Sequence, residues 1–65
     1  MCIVYAMKPF PGMSHPVRCY PYQVGSGGYG WSVVYGDTMK FADKAEAIAF
    51  MELQFPGAEY SVEEI

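Results

Sequence analysis

The sequence predicts an α+β fold: a small three- to five-stranded sheet in β-β-β-α-β order, with one helix packed on it. Three observations predict it. Short runs rich in β-branched and aromatic residues are separated by Gly- and Pro-rich breaks. A single stretch, 43–54, has helical spacing together with a start and a stop signal. An alternating run, 58–65, follows it. The segment from Trp31 to Val62 therefore reads as the scaffold.

Sixty-five residues make one domain, 1–65, near the lower size limit for folding without staples. The chain is 52% hydrophobic and 17% aromatic, against 17% charged. That is more apolar surface than a body this small hides in one core. Either both faces of the sheet are covered, or apolar surface meets a partner. Four Lys/Arg against seven Asp/Glu give a formal charge of −3. Neutralising several phosphates needs a basic stripe, and Lys8, Arg18, Lys40 and Lys44 are too few and too scattered to form one. Nucleic acid is a disfavoured partner on that ground. No basic stretch followed by an apolar one marks a secretory signal, and no apolar run approaches the roughly 18 residues of a membrane span. A cytoplasmic location without membrane contact is expected, with Cys2 and Cys19 as free, buried thiols.

Met1–Met7 is almost wholly apolar, with β-branched Ile3 and Val4, and reads as a first strand. So apolar a strand must pair with another or dock on the helix, since a bare edge would aggregate. Lys8–Pro16 carries three prolines and Gly12 and reads as a loop pinned by Phe10 and Met13. Arg18–Val24 is the second strand, which Pro21 places at an edge or starts late. Gly25–Gly30 holds four of the seven glycines. A phosphate cradle lies between strand and helix, whereas strands flank this loop and the Lys-Ser/Thr of a P-loop is missing. A flexible hairpin tip is the reading, with Tyr29 as its one gripping residue.

Trp31–Tyr35 and Met39–Phe41 then form a hairpin about Gly36-Asp37. A two-residue turn there pairs Tyr35 with Thr38 and sets Phe41 opposite Trp31. A three-residue turn pairs Tyr35 with Met39 and gathers Trp31, Val33, Tyr35, Met39 and Phe41 on one face. Each buried large side chain is worth about 1.5–3 kcal/mol, which favours the second register. Asp43 with Glu46 three residues on opens the helix, and Phe55-Pro56-Gly57 ends it. Ala47, Ile48, Phe50, Met51 and Phe55 make the inward face. Ala45, Ala49 and Leu53 make a second strip on its back, covered by the N-terminal segment or, failing that, by a partner. In the last strand Tyr60 and Val62 face inward and Glu59, Ser61 and Glu63 outward.

Catalytic patterns are lacking. His15, Cys19 and Cys2 have no zinc spacing, and His15 with Cys19 has no orienting group. Cys2 exposed as a terminal nucleophile would need a far larger body around it, and Glu63 and Glu64 point to opposite faces of a strand. The expectation is a protein that is not an enzyme and binds no metal or cofactor. Tyr20, Tyr22 and Val24 share one face of their strand; they pack on the helix or stand beside Tyr29 as an interaction surface.

The aromatic-bearing hairpin, Glu46-Ala47 at the helix start, Phe55, the Pro56-Gly57-Ala58 turn and the Tyr60-Ser61-Val62 strand follow one another in a familiar order. From Trp31 onward this order resembles small phage-encoded proteins that disable a host machine, loosely the T7-type inhibitors of bacterial RNA polymerase. Met1–Pro16 has no counterpart in them, and no binding residue carries over. The resemblance implies a host protein or protein complex as partner. The expected function is non-catalytic protein binding, as a phage or mobile-element inhibitor, through Tyr20, Tyr22 and Tyr29 or through Ala45, Ala49 and Leu53. The alternatives are a homodimer through the helix back and, last, a single-stranded nucleic-acid binder stacking bases on the tyrosines.

Overall fold

The computed structural model describes all residues, Met1–Ile65. Strands β1 (Cys2–Lys8), β2 (Val17–Val24) and β3 (Gly28–Ser32) precede a 3-10 turn at Tyr35–Asp37, helix α1 (Lys44–Gln54) and strand β4 (Ser61–Glu64). The β-β-β-α-β order of the α+β prediction holds. The sheet runs β3-β2-β1-β4, and each neighbouring pair is antiparallel. The most apolar strand thus lies inside the sheet, paired on both sides. No helix is long and apolar enough to cross a membrane.

Registers fix the two faces. Ala6 opposes Cys19, Pro21 opposes Trp31, and Val4 opposes Val62. These residues share the side that α1 covers, because side chains alternate along a strand. There Val4, Phe41, Ala47 and Met51 form the buried core, ringed by Trp31, Met39, Phe50, Phe55, Tyr60 and Val62. Ala47, Phe50, Met51 and Phe55 of the helix and Tyr60 and Val62 of the last strand thus face inward, as the spacing predicts. At the helix start the Glu46 N–H donates to Asp43 Oδ1 at 2.8 Å. At its end Gly57 takes the left-handed φ of 81°. Asp43→Ala is expected to cost about 0.5–2 kcal/mol of stability, read as a lower midpoint in urea.

The hairpin predicted at Trp31–Phe41 does not form in either register. Strand β3 begins earlier, at Gly28, and stops at Ser32. The reason is local: the Val34 N–H donates to Ser32 Oγ at 3.0 Å, and that hydroxyl donates to Asp37 Oδ2 at 3.2 Å. These side-chain bonds turn the backbone out of the ladder, and backbone bonds from Asp37 to Val34 and from Thr38 to Tyr35 close the turn. The real hairpin is β2–β3, with Val24 opposite Gly28 and Gly25 at φ 61° in the tip. Two of the loop glycines are therefore strand residues. Gly30 lies opposite Tyr22, whose ring covers it; a Cβ there would come within 3.3 Å of Tyr22 Cε1 and 3.1 Å of Val24 Cγ2.

Met39–Phe41 does return to the sheet, but against β1. Cys2 and Phe41 exchange backbone bonds at 2.8 Å each, and the Met39 N–H donates to the Pro21 carbonyl at 3.2 Å. This also explains Pro21, which is neither at an edge nor at a strand start. The β1–β2 ladder extends no further along β2 than Cys19, so the donor that proline lacks faces no β1 acceptor. The connection from β3 to Met39 crosses the sheet face away from the helix. On that side Ile3 is 1% exposed and Tyr20 8%, and the Tyr20 ring meets Tyr35 edge-on at 5.4 Å. The second sheet face is thus buried around Ile3 and Tyr20, while Met7 and Val24 on it stay exposed.

Candidate functional site

The Pro-rich loop folds back through a turn in which the Met13 N–H donates to the Phe10 carbonyl at 3.1 Å and Gly12 has φ 86°. Phe10 and Met13 stand at the two ends of this turn. They do not pin the loop by burial, since each is nearly half exposed. With Val17, Tyr20 and Val33 they line an open groove of about 380 Å³, with Arg18 at its rim. Arg18 and Tyr20 come from the sheet face opposite α1, and Val33 from the strap that leaves β3. Val34 and Tyr35, the next residues of that strap, are also exposed.

The rim cation is held in place. The Arg18 guanidinium lies 3.9 Å from the centre of the Tyr5 ring, and its Nη2 is 3.6 Å from Glu63 Oε2. The nearby Tyr20 hydroxyl, against desolvation and helped by the Glu63 charge, raises its pKa. The groove therefore has a mostly apolar lining, with the Arg18–Glu63 ion pair beside it. Two other cations also rest on aromatic rings: Lys8 on Trp31 at 4.7 Å and Lys40 on Tyr35 at 6.0 Å. A second hollow, of about 230 Å³, lies between Tyr5–Met7 and Glu59–Ser61 and has Glu59 as its one carboxylate.

The residues singled out by sequence separate. Tyr20 is buried, and Tyr22 is half-buried on the same sheet face. Tyr29 belongs to the other face, where its ring meets Phe50 edge-on at 4.9 Å. The three tyrosines thus form neither one interaction surface nor one stacking platform, because the alternation of β2 and β3 places them on opposite sides. On the helix, Ala45 and Ala49 are exposed and Leu53 is 76% exposed. Cover by the N-terminal segment is overturned: β1 is occupied within the sheet. Two methyls and one leucine are a small part of the roughly 800 Å² per partner that a stable interface buries.

His15 is exposed, with its Nδ1 3.4 Å from Ser14 Oγ. No group of three or more His, Cys, Asp or Glu is placed to hold a metal ion. Cys2 and Cys19 are both free and buried. The groove was missed because its parts lie far apart in sequence, in a loop, a strand and a strap. The one signal was two large apolar residues, Phe10 and Met13, inside a proline loop. Among known proteins, no family model, curated protein or solved structure matches the chain.

Proposed function

We propose that this chain is a non-catalytic protein-binding module that takes an apolar side chain of a partner protein into the groove of Phe10, Met13 and Val33. One observation carries the reading. Half-exposed large apolar residues from two separate segments, Phe10 and Met13 of the loop and Val33 of the strap, are brought together at a concave site. Grouped apolar surface of this kind marks interaction sites, and methionine adapts to the shape it meets. Arg18 at the rim suits a carboxylate next to the docked side chain.

The partner class comes from the resemblance to phage proteins: a host protein complex, which the chain disables by occupying one of its contact sites. Purified bacterial RNA polymerase is the first probe. Added chain should lower promoter-dependent transcription, and the double variant Phe10→Ala, Met13→Ala should lose at least about tenfold in potency, the effect of truncating two interface anchors. The melting midpoint of that variant should stay near the parent value, since both residues are already nearly half exposed. Transcription unaffected by the parent chain removes this enzyme as the target. Equal potency of the variant removes the groove.

A further inference from the structure

The sheet has two free edges, and they differ. The outer strand β4 is four residues long and carries Glu63 and Glu64. Self-pairing there would set carboxylates against one another, and charge on a short strand is a common protection of an edge. The outer strand β3, Gly28-Tyr-Gly-Trp-Ser32, has no charged residue, no proline and only hydrogen or small side chains on the face away from the helix.

Pro21 sets which backbone groups of β3 face outward. Proline has no N–H, and its carbonyl accepts from Met39 on the side away from β3. Pro21 and Trp31 are therefore a pair without mutual hydrogen bonds, and the bonded pairs are Tyr20 with Ser32, Tyr22 with Gly30 and Val24 with Gly28. By the same alternation, the N–H and C=O of Tyr29 and Trp31 point away from the sheet. No turn, loop or side-chain hydrogen bond of the chain takes them up. An edge with two donors and two acceptors in the plane of the sheet remains open.

We infer that this edge is a self-association site, at which β3 of a second copy pairs antiparallel about a two-fold axis through Gly30. In that register Tyr29 of one copy faces Trp31 of the other, and both present their free N–H and C=O. Four backbone bonds close symmetrically, as an isologous contact requires. Gly30 faces Gly30 at the close, non-bonded position, where no side chain obstructs the approach. Tyr29 and Trp31 become direct cross-strand aromatic neighbours. The second copy is the fitting occupant because the edge is self-complementary in bonding pattern and carries none of the chain's seven carboxylates. The site is separate from the groove and does not depend on it.

Sedimentation equilibrium of the chain alone, from micromolar to millimolar, should show a mass rising from 7.3 kDa towards twice that value. Backbone N-methylation at Trp31, introduced by chemical synthesis, removes one outward donor per copy and leaves every side chain in place. It should weaken association by about 100-fold, two hydrogen bonds being lost per dimer. In the unmodified chain, the Tyr29 and Trp31 amides should exchange with deuterium more slowly at high than at low concentration, a readout that needs no variant. A monomer at every concentration overturns the inference. So does a dimer indifferent to Trp31 N-methylation, or one abolished by Leu53→Lys, which would place the contact on the helix back.

Discussion

Phe41→Ala is expected to lower the unfolding free energy by about 3–5 kcal/mol, the range for deleting a buried aromatic ring. Phe41 is 3% exposed, its ring lies 5.2 Å from that of Phe50, and its backbone exchanges two bonds with Cys2. It therefore joins the chain after the strap to both the helix and the first strand. At roughly 0.05–0.15 kcal/mol per residue, a domain of this length holds only about 3–10 kcal/mol in total. The variant should be largely unfolded at 37 °C, visible as loss of the near-ultraviolet circular dichroism. A urea midpoint close to that of the parent would show that the core is not centred on this ring.

Ile3→Ala is the second large effect, at about 2–5 kcal/mol. Ile3 faces away from the helix, yet it is buried, on the side where Tyr35 of the strap meets Tyr20. If the sheet had only one covered face, this substitution would be nearly neutral. Leu53→Ala, on the exposed helix back, should change stability by less than about 0.5 kcal/mol. The contrast between the two, measured by chemical denaturation, tests whether both faces of the sheet are packed.

The helix was legible because its signals are local. Asp43 and Gly57 act within a few residues of themselves, and the spacing of Ala47 and Met51 points to one face whatever lies opposite. The same holds for β1 and for Tyr60 and Val62. The strap was not legible. Trp31-Ser-Val-Val-Tyr35 alternates as a strand does, and the contrary influence is the Ser32 hydroxyl, which captures Val34 and Asp37. Serine is common enough in strands that such capture is known only once the turn has formed. Trp31, Met39 and Phe41 still gather on the helix side, as the predicted apolar face required, while Val33 and Tyr35 pass to the other side.

The candidate site was less legible than the fold. Tyrosine content pointed to Tyr20, Tyr22 and Tyr29 as one surface, but strand parity divides them, and a shift of one residue in where β3 starts would reverse the side of Tyr29. The groove depends on a proximity that spacing does not encode: Phe10 and Met13 of a loop beside Val33 of a strap. Likewise the open edge of β3 follows from the phase of its pairing with Pro21, not from its composition.

Site-specific photocrosslinking tests whether partner docking is confined to the groove on the face away from the helix. Phe10→p-benzoylphenylalanine and, separately, Leu53→p-benzoylphenylalanine would be illuminated in cells expressing each chain. A discrete covalent adduct with another protein is expected from position 10, lost when Met13→Glu is added, and none from position 53. An adduct from position 53 alone, or one from position 10 that survives Met13→Glu, would contradict docking in the groove.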